Sequence, residues 1–317
     1  MSKFKRADLT KVKTISIKKR KSKVTPADFA KVFDGARDSF AAFADSLPKI
    51  LVAEDLRLLV DDIVASRKKD KPVILMMGAH VIKVGLSPVL IDLIKRNIIT
   101  AVAMNSAAAI HDVETAMWGQ TSEDVAVNIL DGRFGMARET GELMNQTLRD
   151  AFKNSDMGYG EALGRKLLAL DAPNANVSLL ATCYSLNVPI TIHAAIGTDI
   201  IHQQPTMDGA ATGELSFRDF KALAETCKGL IGGGVVLNIG SAVIMPEVFL
   251  KALTVARNLG AKAKGFTTAV FDMNVHYRPT MNVKLRPTQD GGRGLYFTGH
   301  HEIMVPLLAA MVKARMG

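Results

Sequence analysis

Val73-Ile74-Leu75-Met76-Met77-Gly78-Ala79-His80 is the stretch on which the fold turns. Its first five residues are apolar without alternation, so an extended segment here would bury both faces, as a parallel strand covered by helices does. The run then stops abruptly on small and polar residues. The same pattern recurs downstream. An amphipathic stretch near 86–96 leads to a second apolar run, Ile99 to Met104, that ends in Asn105-Ser106. Residues 107–118 and most of 137–186 have helical periodicity, broken at Gly158, Gly160 and Asp171-Ala172-Pro173. Further strands are expected at Val188 to Ile192, from Gly232-Gly233-Gly234 through Leu237, in a run ending at Thr267-Thr268-Ala269, and near Gly294 to Phe297. Helices are expected near 245–259 and from about Glu302. Strands separated by helices make βαβ units, so the fold class is α/β with a mostly parallel sheet and helices on both faces.

Upstream, Thr25-Pro26-Ala27-Asp28 has the hydroxyl, proline and acid of a helix start, and helical periodicity is expected from there to about residue 68. The net charge of +9 is local. Residues 1–24 hold ten Lys or Arg against Asp8 alone, so they carry all of it, and the rest of the chain is neutral. The expected organisation is a basic arm, 1–24, and one α/β domain, 25–317. The arm reads as a flexible tail or an inter-subunit arm, with RNA or an acidic partner as the other possibility; nucleic acid is not the expected partner of the body. No apolar run reaches the roughly 20 residues of a membrane span, and no signal-type stretch opens the chain, which reads as cytoplasmic. Cys183 and Cys227 lie in apolar helical patterns and read as reduced core thiols.

Polar and small residues collect where the strands are expected to end: Gly78-Ala79-His80, Asn105-Ser106, His193-Ala194-Ala195, Asn238-Ile239-Gly240-Ser241, Thr267-Thr268-Ala269 and Thr298-Gly299-His300. Ligands of parallel sheets sit outside those ends. Turn chemistry favours small residues there too, but six such ends favour a shared cleft. Gly232-Gly233-Gly234 lacks the Gly-x-Gly-x-x-Gly spacing of the dinucleotide fingerprint, and permits either close backbone approach or a plain turn. Asp199 and Asp272 each follow a strand by a few residues, where an acid binds ribose hydroxyls or a cation, or simply closes a turn. His80, His111, His193 and His300 fall at or just past strand ends; His202, His276 and His301 fall in loops or beside turns. A metal set of His193, His300, His301 and Glu302 can be written down, but its spacing is poor, and no metal is expected.

From Val73 to Asp112, and then through Asn187-Val188-Pro189-Ile190, Ala194 to Asp199, Leu230 to Val235, Phe266 to Asp272 and Pro306-Leu307-Leu308, the chain resembles deoxyhypusine synthase and its homospermidine synthase relatives. The resemblance covers roughly 70–315. It implies a Rossmann-like subunit of a homotetramer that uses NAD to oxidise spermidine, captures the aminobutyl group on a lysine as an imine, and passes it to an acceptor amine. It places Gly78, Ala79, Asn105, Ser106, Asp199, Gly232, Gly233, Gly234, Thr268, Ala269 and Asp272 around NAD. Asn282-Val283-Lys284-Leu285-Arg286 matches the segment of the family's imine lysine, which makes Lys284 the candidate nucleophile. Asn238, where the family has a histidine, and His276 complete the candidate catalytic set. Asn282 stands in place of the family's tryptophan, and Arg278 in place of an acid.

A nucleophilic lysine needs a lowered pKa, which Arg278 or Arg286 beside Lys284 would supply; otherwise Lys284 is a solvated loop lysine. Three readings follow. One is an NAD-dependent aminoalkyl transferase acting on a polyamine-type substrate. Another is an NAD-dependent oxidoreductase whose anionic substrate is held by Arg278 or Arg286. The third is a non-catalytic NAD-binding or assembly protein. Charge around the pocket separates the first two, since acids suit an amine and arginines suit a carboxylate or phosphate.

Overall fold

The computed structural model describes residues 2–317, which divide into two compact units, one up to Glu54 and one from Asp55. In the first unit the basic arm is exposed and holds only the single turns Leu9–Lys11 and Ile17–Lys19. Thr25 and Asp28 form the expected capping box, but on the single turn Pro26–Asp28. The helix expected to continue from there does not form, and Phe29 and Val32 are 60% and 100% exposed. The next helix is α1 (Phe40–Ser46), where Phe43 packs edge-on against Phe33 at 5.3 Å. The reason is composition: Asp34-Gly35-Ala36-Arg37-Asp38 offers local carboxylate bonds, such as Asp34 accepting from the Ala36 amide, that compete with the helical ladder.

From α2 (Leu51–Lys68) onward the chain alternates. β1 (Val73–Met77) is followed by the one-turn α3 (His80–Lys83) and α4 (Ser87–Lys95). Next come β2 (Ala101–Asn105), α5 (Ser106–Trp118), α6 (Val125–Asn128), α7 (Arg138–Asn154), α8 (Tyr159–Ala169) and α9 (Leu179–Ser185). The second half holds β3 (Ile190–His193), α10 (Gly209–Cys227), β4 (Val235–Ile239), α11 (Ile244–Asn258) and β5 (Thr267–Asp272). The short α12 (Tyr277–Pro279), which runs into a wide turn over Thr280–Leu285, β6 (Arg293–Thr298) and α13 (His301–Met316) complete it.

The six strands form one all-parallel sheet in the order β3-β2-β1-β4-β5-β6, a Rossmann-like arrangement. Ile74 and Met76 of β1 share a face with Ala101 and Ala103 of β2 and with Val236 of β4, and that face packs on Met245, Phe249, Ala252 and Leu253 of α11. Val73, Leu75 and Met77 point the other way and are equally buried, so both faces are covered. No helix among the described residues is long and apolar enough to cross a membrane.

Two expected strand boundaries move. Thr267-Thr268-Ala269 opens β5 instead of closing it, and the strand runs on to Asp272. Gly232-Gly233-Gly234 precedes β4, at the amino ends of the strands. Gly234, at φ +99°, has no room for a Cβ, which would meet the Leu230 side chain at 2.8 Å and the Pro72 carbonyl at 3.1 Å. The triple glycine thus serves a close backbone approach to the start of β1, on the side of the sheet opposite the ligand edge.

Candidate functional site

The strand order reverses between β1 and β4, and the carboxyl ends of these strands meet at Gly78 and Gly240. Gly78 donates its amide to Ile239 O at 3.0 Å, and a Cβ on it would collide with the Gly240 carbonyl. Gly78 is therefore required by a neighbouring backbone. On either side of this junction lie two clusters of polar side chains, joined by α3, which contributes His80 to one and Lys83 to the other.

The first cluster lines a cavity of about 740 Å3 beyond the ends of β2 and β3. One face of α5 forms its wall: Ala107, Ile110, His111, Glu114 and Trp118 recur at helical spacing. Asn105 caps this helix, accepting from the Ala108 amide at 3.0 Å, so its side chain is committed to the turn. Ser106, buried, donates to Asp199 Oδ2. Burial pushes the Asp199 carboxyl up, with the Ser106 hydroxyl and His202 drawing it the other way. Glu114 accepts hydroxyl bonds from Thr121 at 2.5 Å and Thr140 at 3.0 Å, and Thr121 in turn meets His111 Nδ1 at 2.6 Å. Burial, helped by Lys83, pushes the His111 imidazole down to about 4. Glu123, which accepts from the Gly135 amide and Asn128 Nδ2 at 2.8 Å each, and Glu139, paired with Arg138 at 2.9 Å, also line the wall, so four carboxylates line it together with Lys83 and the His111 imidazole.

The second cluster lies beyond β1, β4, β5 and β6. Asp272 ends β5, buried, with Oδ1 accepting from the Asn274 amide at 3.3 Å and 3.5 Å from His276 Nε2. The His276 amide donates to Tyr296 Oη at 3.1 Å. His301, 1% exposed, is stacked edge-on with His80 at 5.7 Å and packs against Gly240, whose φ of +65° and missing Cβ leave room for the ring. Among the described residues neither ring nitrogen of His301 has a hydrogen-bond partner of good geometry; burial pushes the imidazole down, against the opposing pull of Asp272 and the nearby Phe271 carbonyl. α13 begins here without a side-chain cap.

The structure therefore brings Gly78, Ala79, Asn105, Ser106, Asp199, Asp272 and His276 to the carboxyl edge. It does not bring Thr268, Ala269, the triple glycine or Lys284 there. Thr268 and Ala269 lie inside β5, where the Thr268 hydroxyl donates to Val283 O at 2.8 Å. Gly232, Gly233 and Gly234 lie at the opposite edge. Asn238, the penultimate residue of β4, lies buried close to the carboxyl edge opposite Met76 and Val270, its Nδ2 donating to Ser241 O at 3.0 Å and its Oδ1 without a hydrogen-bond partner among the described residues. Lys284 is the largest departure. A Cβ on Gly294 would collide with the Lys284 carbonyl, and Gly294 pairs with Thr268 near the amino end of β5. Lys284 thus lies beside the outermost strand, four strand spacings or about 19 Å across the sheet from β2 and its cavity. Arg278 and Arg286 are also engaged elsewhere, Arg278 with Glu247 at 3.3 Å and Arg286 with Asn282 Oδ1 at 2.7 Å. His193, His300 and His301 fall at opposite ends of the sheet, and among the described residues no three His, Cys, Asp or Glu form a metal-ligand group. Glu114, Thr121, Glu123, Glu139 and Lys83 were missed. Only His111, Glu114 and Trp118 had a legible signal, their i, i+3, i+7 spacing.

No protein-family model matches the chain, and no curated protein matches it in sequence. Its fold is shared with solved structures at low identity. A putative deoxyhypusine synthase from Entamoeba histolytica superposes with a TM-score of 0.53 at 13% identity, over 90% of this chain and 96% of that one. AgrE in ternary complex with ornithine and NAD+ superposes with a TM-score of 0.53 at 15% identity, over 82% of this chain and 33% of AgrE. ArgZ, an arginine dihydrolase from the ornithine-ammonia cycle in Cyanobacteria, gives 0.52 at 16% identity, over 82% of this chain and 31% of ArgZ. The chain spans about a third of the length of ArgZ and AgrE, and all of these likenesses concern the fold.

Proposed function

We propose that the chain is an NAD-dependent enzyme acting on an amine of the polyamine type, with the dinucleotide along the carboxyl edge and the amine in the α5 cavity. The observation that carries this reading is the cavity wall, where Glu114, Glu123, Glu139 and Asp199 outnumber Lys83. An ammonium-bearing chain matches such a wall by charge and by hydrogen bonding, since carboxylates only accept. The second cluster fits a dinucleotide. The uncapped amino terminus of α13 offers backbone N–H groups to phosphate, the orphaned His301 imidazole needs a partner, and Asp272 offers a carboxylate to a hydroxyl. NAD, when bound, would accept the hydride from the carbon bearing the amine.

The protein's own residues hold and orient. Ser106 fixes Asp199, Thr121 and Thr140 fix Glu114, and the two carboxylates, one beyond β3 and one on α5, line one space. Arg278 and Arg286 face their own partners, which removes the basis for an anionic substrate held by them. An imine at Lys284 has no support in this geometry; Lys83 is the lysine that lines the cavity. Assembly as a homotetramer and a cytoplasmic setting belong to the same reading, and the buried free thiols Cys183 and Cys227 suit it. The test is NADH formation and thermal shift of the purified protein with NAD and linear amines, with native mass spectrometry for the assembly. Stabilisation by NAD together with amine-dependent NADH is expected. Stabilisation by NAD with no response to any amine would retire the substrate class.

A further inference from the structure

We propose that His111 selects the amine in the α5 cavity, its Nε2 accepting an N–H of the substrate, because Thr121 and Glu114 hold the ring in the Nδ1–H form. This inference rests on the amine reading of the cavity.

The argument is one of hydrogen counting. A threonine hydroxyl has one hydrogen to give. That of Thr121 goes to the Glu114 carboxylate at 2.5 Å, so its 2.6 Å contact with His111 must be made by a proton on Nδ1. Glu114 is itself held by a second hydroxyl, Thr140 at 3.0 Å, which fixes the carboxylate end of the chain. A neutral imidazole with hydrogen on Nδ1 carries a lone pair on Nε2. That nitrogen has no protein partner among the described residues and is not sealed from solvent, and the residue lines the cavity.

The ring stays neutral because of what faces it. Partial burial and the positive Lys83 of α3 both oppose a second proton. Glu114 on the same helix acts through the Thr121 hydroxyl, while Glu123, Glu139 of α7 and Asp199 beyond β3 line the rest of the space. A charged imidazole would present a donor and repel an ammonium. The relay instead turns the imidazole of the cavity into another acceptor beside the four carboxylates, against Lys83, the Trp118 indole, the Gln120 amide and the hydroxyls as donors. A substrate amine, rich in N–H and poor in acceptors, is what such a wall distinguishes from an alcohol or a carboxylate. His111 acts here as a specificity residue, and Thr121 as the residue that positions it.

The experiment uses the full chain with spermidine as the probe. Side-chain 15N spectra of the free protein should show His111 as the Nδ1–H tautomer at neutral pH, and Thr121→Val should mix the tautomers. Calorimetric titration should show spermidine binding weakened about 10- to 100-fold by His111→Ala and less by Thr121→Val. His111→Gln, which can place an oxygen near the Nε2 position, should recover part of the loss. Addition of spermidine should shift the Nε2 resonance. A His111 found as the Nε2–H tautomer, or unaltered spermidine affinity in His111→Ala, would overturn this inference and leave the amine reading intact. Absence of spermidine binding by the wild-type chain, and likewise of 1,4-diaminobutane, would overturn both.

Discussion

The two halves of the carboxyl edge are built differently. Beyond β2 and β3 two carboxylates are held by hydroxyls, Asp199 by Ser106 and Glu114 by Thr121 and Thr140, with His111 tied to Thr121, while His202 Nε2, 3.9 Å from Asp199, has no hydrogen-bond partner among the described residues. Beyond β4 and β6 the central group, His301, makes no side-chain hydrogen bond of good geometry among the described residues. Carboxylates already held by hydroxyls need no ligand to pair them and select by charge. A buried imidazole with both nitrogens orphaned is incomplete, and gains when something polar arrives. On the proposed reading the substrate takes the first half and the cofactor the second, and experiments can break that division.

The largest expected effect belongs to the scaffold of the first half. Asp219 on α10 is fully buried and accepts from the amides of Ile192 at 2.6 Å and Gly160 at 2.9 Å. Asp219→Ala leaves two buried donors unpaired at roughly 1–3 kcal/mol each, so a loss of about 4 kcal/mol is expected in chemical denaturation. A loss below about 1 kcal/mol would show that water replaces the carboxylate.

Function separates the halves next. Glu114→Gln should weaken spermidine binding by about 10-fold or more while leaving the thermal shift by NAD unchanged. His301→Phe should do the reverse, cutting the NAD shift by about half and sparing spermidine. Either variant moving both ligands would collapse the two regions into one.

A smaller effect is expected with pH. Burial raises Asp219 to about 8 and Asp112 to about 6, so the folded state holds their protons above the pH at which the unfolded chain releases them, and stability falls as pH rises through those windows. His111 and His193, pushed down to about 4 and 3, work the other way and add stability as pH rises towards their unfolded value, roughly 6.5. Above that value Asp219 alone still titrates among these four. The melting temperature should therefore decline between about pH 6.5 and 8, and Asp219→Asn should flatten the decline. A wild-type protein with no decline there would place the Asp219 carboxylate in its charged form throughout.

The smallest effect sharpens the comparison most. Lys284→Ala should change NAD stabilisation, spermidine binding and NADH formation by less than about twofold, and borohydride should trap no adduct on Lys284. Trapping there would show that β6 reaches the substrate after all.

The sheet was legible because runs such as Val73–Met77 admit one reading: five apolar residues between breakers are a buried strand. The carboxyl edge was legible in part, through Gly78, Asn105, Ser106 and Asp272, because strand ends can be counted along the chain. Thr267-Thr268-Ala269 misled because small residues also suit the interior of a strand packed on both faces, and Thr268 hides its hydroxyl by bonding Val283 O. Lys284 was placed by its matched segment, which carries no information on which side of the sheet the loop returns. Glu123, Glu139 and Asp199 come from three separate elements, and only tertiary packing gathers them around α5.

β3 is an edge strand with β2 as its single partner, so its outer row of amides and carbonyls faces away from the sheet. α10 takes up that row. Asp219 receives the Ile192 amide, and Ser216 receives the Ala194 amide while donating to the Ile192 carbonyl at 3.2 Å. Two side chains of one helix thus stand where a seventh strand would hydrogen-bond. A bare edge is an invitation to a neighbouring molecule's strand and to growth by addition, and this one is closed. Loss of Asp219 would therefore do more than loosen the fold: it would reopen a docking line for identical chains, and turn a stability defect into a tendency to polymerise.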